Sequence, residues 1–143
     1  MPANARHDYL VTEVMTATPQ KLQLMLIEAA LRFAAQARQQ WDNGRLNEAG
    51  ESLVRCQQIV TELLCGLNQQ ADPDLVRRVA GVYLFVFRCL TTAQIEHSEE
   101  KLAEAVSILE LERETWQMVC DTHGSKQDTA GQTPPALDRM LEA

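Results

Sequence analysis

Residues 46–67 read LNEAGESLVRCQQIVTELLCGL, and the spacing of their apolar positions decides the fold. Leu46, Ala49, Leu53, Cys56, Val60, Leu63 and Leu67 alternate steps of three and four, which gathers their side chains along one stripe of an α-helix. A stripe this regular, with polar residues around it, is the seam of a helix bundle. The pattern opens after Asn43-Gly44, residue types that let a chain leave a preceding helix through a left-handed conformation, and it persists to about Gln70.

Three more helices flank this one. Upstream, Thr18-Pro19 offers a capping oxygen followed by proline at the first helical position, where its missing N–H costs nothing, and a helix runs from there to about Asp42. Downstream, Asp72-Pro73-Asp74 repeats that signal, with carboxylates at the positive end of a helix ending near Glu96. Its seam is Val76, Val79, Tyr83, Val86, Leu90 and Ala93. The run Val82 to Phe87 is apolar throughout and resembles a buried strand, but the length of the pattern and the cap decide for helix. Ser98-Glu99-Glu100 opens a fourth helix that continues to about Asp121, with Leu102, Ala105, Leu109, Trp116 and Val119 in register. Glu112 interrupts it where an apolar residue is expected.

Rods of about 23 to 25 residues joined by connections of two or three residues run antiparallel. The fold class is therefore all-α: an up-down-up-down four-helix bundle over residues 18–121, preceded by a segment 1–17 and followed by 122–143. The last stretch is rich in Thr, Gly, Ser, Gln and Pro, buries too little to offset ordering, and is expected to be a disordered tail. Within it, Ala136 to Glu142 has the length of a marginal helical turn. The whole chain agrees with one domain: 143 residues, 45% hydrophobic and only 5% aromatic, suit a single helical core.

Composition also excludes several functions. Thirteen basic against twenty acidic residues leave a net charge of -7, the wrong sign for gripping nucleic-acid phosphates. Met1 to Asp8 lacks the apolar core of a signal peptide, and nowhere do about 18 apolar residues run together as a membrane span needs. The expected location is the cytoplasm, with no membrane insertion. Cys56, Cys65, Cys89 and Cys120 form no CxxC pair and are expected to be small buried hydrophobes of a reducing compartment. No metal or cofactor is expected either, because a di-iron bundle needs paired Glu-x-x-His motifs, whereas Gln94 precedes His97 and Cys120 precedes His123. No phosphate loop, nucleophile elbow or paired-carboxylate signature is present, so the chain does not read as an enzyme. Two alternatives stand beside the binding function reached below: a phosphotransfer bundle using His97, and a plain helical adaptor.

The helices carry more apolar surface than one seam requires. In the first, Leu22, Leu26, Ala29, Phe33 and Ala37 make one seam, and Leu24, Ile27, Leu31, Ala34 and Ala35 lie beside it as a second strip. In the third, Leu75, Val82, Phe85 and Cys89 fall outside the main seam. Such strips are either deeper burial or a groove for an amphipathic partner segment. Covering three or four large aliphatic side chains contributes roughly 1.5 to 3 kcal/mol each before association costs, enough for a micromolar partner.

Specific residues then narrow the partner. The stretch from Tyr9 through Val14, Thr16, Ala17, Thr18 and Pro19, followed by Leu22 and Met25-Leu26, resembles the opening of the flagellar secretion chaperone FliS family. Gln58 to Leu63 with Leu67-Asn68 resembles the family's second helix. Tyr83 with Arg88, Leu90 and Ala93 resembles its third, and Arg113 to Trp116 the end of its fourth. The chain departs from the family pattern at Leu26-Ile27-Glu28-Ala29, where Leu-Tyr-Asp-Gly is usual, at Tyr83-Leu84-Phe85, where Tyr-Asp-Tyr is usual, and at Gln94 in place of Asn.

The resemblance implies a non-enzymatic chaperone that binds the disordered, amphipathic C-terminal segment of flagellin in apolar grooves, keeping it monomeric for flagellar type III export. It also implies that the leading segment lies over part of that surface until the client arrives. Tyr9 and Val14, with Leu24, Ile27 and Leu31 of the second strip, are the candidate client contacts. A family-level partner in the export gate or in regulation is implied as well, with no residue assigned to it.

Overall fold

The computed structural model describes Asp8, Tyr9, Val11, Thr12 and residues 16–67 and 72–123. The expectation of a disordered tail, residues 124–143 within it, lies outside these residues. Four helices make up the body: α1 (Pro19–Asp42), α2 (Leu46–Cys65), α3 (Pro73–Glu96) and α4 (Glu99–His123). Asp8, Tyr9, Val11 and Thr12 ahead of them also have helical backbone.

The termini follow from local chemistry. Thr18 caps α1, its hydroxyl accepting from the Lys21 amide at 3.1 Å with Pro19 next in line. At the other end the Arg45 amide donates to the Gln40 carbonyl (2.8 Å) and the Gly44 amide to that of Trp41 (3.0 Å). Gly44 supplies the left-handed residue at φ 74°, while Asn43 stays at φ -93°. The Asp72 carboxylate accepts from the Asp74 amide at the start of α3, and the Ser98 hydroxyl from the Lys101 amide at the start of α4. Glu99 and Glu100 add negative charge at the positive end of α4.

One boundary differs from expectation. α2 stops at Cys65, short of Gln70, and its link to α3 spans residues 66–72 instead of two or three. Gly66 takes φ -83° and ψ 1°, and the Leu67 amide turns back onto the Leu64 carbonyl, a three-residue closure that tightens and ends the helix.

The helices pack as a closed ring, α1 on α2, α2 on α3, α3 on α4 and α4 on α1, which is the antiparallel up-down-up-down bundle. Ala49, Leu53, Cys56, Val60 and Leu63 of α2 are fully buried, as are Tyr83, Val86, Leu90 and Ala93 of α3. Ala30, Ala34 and Ala37 give α1 a shallow inner surface against α2, close enough for the Cys56 thiol to reach the Ala30 carbonyl at 3.3 Å. Burial pushes that thiol up to about 12, so it packs as a neutral hydrophobe. Cys65 is exposed, against the expectation that all four cysteines are buried; it is the last residue of the shortened α2. By length and composition α3 is apolar enough to cross a bilayer, yet its apolar stripe lies against the bundle interior and Arg77, Arg78 and Arg88 stand on its exposed side.

Candidate functional site

The interior holds one polar element that periodicity marks only as a fault. Glu112 on α4 is 2% exposed, and its Oε2 accepts from the Tyr83 hydroxyl at 3.1 Å; that same hydroxyl accepts from Gln23 Nε2 at 2.8 Å. Three helices are therefore tied across the core by one hydrogen-bonded chain. Burial raises the Glu112 carboxyl above its ordinary value, and the Tyr83 hydroxyl partly opposes this. The Trp116 indole N–H also favours the carboxylate, although it is buried without a hydrogen-bond partner of normal geometry. Burial raises the Tyr83 phenol too, and the nearby carboxylate adds to that. Tyr83 therefore serves as a donor, with no acidic role at neutral pH. Nothing in sequence spacing pairs Gln23, Tyr83 and Glu112, because the three come from different helices.

The candidate contacts read from the sequence are placed as follows. Leu24 and Ile27 are fully buried, and Leu31 is half-buried against the core. Tyr9 is 69% exposed, and Val14 lies outside the described residues. The inward face of α1 draws on both strips, since Ala37 of the first seam is fully buried and Ala35 of the second is exposed. Leu24, Ile27 and Ala34 face the interior, whereas Leu22 is partly exposed and Leu26 and Phe33 sit at the rim beside α2, with the Arg55 guanidinium 5.7 Å from the Phe33 ring centre. Both strips have helical period and lie side by side, so spacing alone cannot tell which turns inward; the neighbouring helices decide it. Leu24 and Ile27 accordingly offer no surface to a partner in this conformation.

Apolar surface is found elsewhere. Leu84 and Phe85 on α3 and Leu111 and Met118 on α4 are each about half exposed. A shallow depression between α1 and α4 is lined by Glu28, Arg113, Glu114, Gln117 and Met118. Leu31, half-buried, follows Glu28 by one turn of α1. His97 is exposed at φ 53° in the turn between α3 and α4, its ring centre 6.2 Å from that of Trp41 in an edge-to-face arrangement. Among the described residues no cluster of His, Cys, Asp or Glu has the makings of a metal site.

These features define a helical bundle whose surface resources are apolar side chains at helix rims, with charges around them. The chain matches the family described as flagellar protein FliS over residues 2–123, and it belongs to that family. It is 31% identical over 122 residues to the flagellar secretion chaperone FliS of Bacillus subtilis, covering 82% of this chain and 90% of that protein. Against the protein of that name from Campylobacter jejuni the identity is 26% over 115 residues, covering 80% of this chain and 90% of the relative. Against that of Salmonella typhimurium it is 25% over 107 residues, covering 74% and 79%.

Proposed function

We propose that this protein is a cytoplasmic export chaperone that holds the amphipathic C-terminal segment of flagellin, keeping it from polymerising before flagellar type III export, and that it performs no catalysis. The observation that carries this reading is the match over residues 2–123 to a family whose curated members are named flagellar secretion chaperones. Physical support comes from the half-exposed apolar side chains on a bundle that needs none of them for its interior. An amphipathic segment covering them removes apolar surface from water on both molecules, which opposes self-assembly of the client.

In this proposal Leu31, half-buried on α1, touches the client together with Tyr9 and Val14 of the leading segment. Leu24 and Ile27 form the buried floor that holds α1 in shape beneath them. An export-gate or regulatory protein is a further partner of the loaded complex.

Co-purification with full-length flagellin tests the function: a one-to-one soluble complex is expected, and flagellin that polymerises unhindered in the presence of excess chaperone refutes it. Calorimetric titration with a C-terminal flagellin peptide tests the site. Leu31→Asp is expected to weaken binding at least about tenfold, equivalent to about 1.4 kcal/mol. Unchanged affinity in a fully helical Leu31→Asp variant removes Leu31 from the site.

A further inference from the structure

The chain that follows α4 is uneven in composition. Residues 124–135 hold no large apolar side chain, whereas Leu137, Met140 and Leu141 fall close together. Steps of three and one put all three on one side of a helical turn, with Asp138 at a flank and Arg139 and Glu142 behind. Thr133-Pro134 ahead of them repeats the cap-and-proline pair that opens α1 at Thr18-Pro19. So short a helix is marginal alone in water, and its apolar side needs a surface to lie on.

α4 releases the chain at His123, at the end of the bundle where α1 begins. A coil with the length of residues 124–135 spans on average about 20 Å. The depression between α1 and α4 lies within that reach, since Met118 is about 8 Å and Arg113 about 15 Å back along α4 at the helical rise. Leu46 and Ile95, 53% and 74% exposed, stand at the opposite end of the bundle, about 35 Å away.

Chemistry then selects this depression from a second one at the same end. Met118 on its wall is 54% exposed, Leu111 two turns earlier on the same side of α4 is 53% exposed, and Arg113 makes no ion pair among the described residues. The depression lined by Pro73, Val76, Arg77 and Ala80 offers smaller side chains, and its cation is held by Asp74 at 3.1 Å. Glu28 and Glu114 on the walls beside Met118 leave Arg113 as the one place there that favours a carboxylate, which fixes the flank that Asp138 takes.

We infer that residues 136–142 of this same chain dock in the depression between α1 and α4, with Leu137, Met140 and Leu141 against Met118 and Leu111 and with Asp138 beside Arg113. Tethering holds the segment at an effective concentration in the millimolar range, so a contact too weak to join separate molecules is populated within one. The client contact Leu31 follows Glu28 of this depression by one turn, so a client held there has to displace the segment. That competition rests on the chaperone reading, whereas the docking does not.

Methyl NMR of the full chain, labelled at its methionines, tests the docking. Leu137→Asp/Leu141→Asp is expected to shift the Met118 methyl resonance, identically at every protein concentration, with helical circular dichroism unchanged. Asp138→Arg or Arg113→Glu alone is expected to shift it the same way, and the two together to return it towards the wild-type position. A Met118 resonance indifferent to Leu137→Asp/Leu141→Asp overturns the inference. So does a shift that grows with concentration, which gives the depression to the segment of a second copy, and so does a charge swap that returns nothing. In calorimetry the flagellin C-terminal peptide is expected to bind Leu137→Asp/Leu141→Asp at least threefold more tightly than the wild type, and equal affinity overturns the competition. A docked segment on a chain that binds no flagellin overturns the chaperone reading alone; an undocked one on a chain that binds it overturns the docking alone.

Discussion

Glu112 carries more consequence than any other single residue in the bundle, because a carboxyl at 2% exposure has one hydroxyl donor and an indole that fails to complete a bond. Its raised pKa means the folded chain keeps this proton to higher pH than the unfolded chain does. Below the unfolded pKa both states hold the proton and there is no penalty. As pH rises from the unfolded towards the folded value, folding must take up a proton, so stability falls, and above the folded value the whole penalty is present. Glu112→Gln keeps the shape and an acceptor for Tyr83 without the charge. The variant is expected to exceed the wild type in urea unfolding by on the order of 1 kcal/mol at about pH 8, with the gap closing near pH 4. Tyr83→Phe acts in the opposite direction: it removes the donor, leaves the carboxylate stranded and is expected to cost about 1–3 kcal/mol at neutral pH. Equal pH dependence in the wild type and Glu112→Gln shows that the linkage lies elsewhere.

At the scale of the helix and its ends, His97 is the strained position, the one described residue other than glycine with a positive φ. It takes φ 53° and ψ 40° so that the Ser98 amide can turn back onto the Ala93 carbonyl before α4 begins. Glycine adopts this conformation without a Cβ penalty, so His97→Gly is expected to stabilise the protein by about 0.5–1 kcal/mol. His97→Ala keeps the strain and loses the ring contact with Trp41, and it should be no more stable than the wild type; thermal unfolding of the pair isolates the backbone contribution. The same scale shows what the sequence made legible. Thr18-Pro19, Asp72-Pro73 and Asn43-Gly44 mark their boundaries because capping depends on residues adjacent in the chain. The seams of α2 and α3 were legible because each has one dominant stripe, and the inward face of α1 was not, because it has two. Spacing left the second strip of α1 open between deeper burial and a groove, and in this structure its Leu24 and Ile27 are buried, while the exposure of Leu111 and Met118 on α4 had no sequence signal.

For the molecule as a whole, nearly all the acidic surplus falls in residues 96–121, most of it on α4. Residues 96–121 hold eight acids against Lys101 and Arg113, whereas residues 1–95 balance nine with nine. Since Glu112 is inside, most of the rest of this charge forms an acidic outer surface on α4, which keeps a bundle with several half-exposed apolar residues soluble. In the proposed reading, stability and client binding draw on different side chains of the same α1, and a pair of substitutions four residues apart separates them. Ile27 is fully buried, so Ile27→Asp places an unpaired carboxylate in the core. That costs several kcal/mol out of a total of about 5–15, and the variant is expected to lose its helical circular dichroism signal at ordinary temperature. Leu31 is half-buried at the rim, where an aspartate keeps access to water. Leu31→Asp is expected to melt cooperatively, within about 1–2 kcal/mol of the wild type, while losing affinity for the flagellin peptide. If Ile27→Asp remains folded and loses the peptide, α1 opens to its client far enough to expose its inner face, and the contact surface lies within the bundle instead of at its rim.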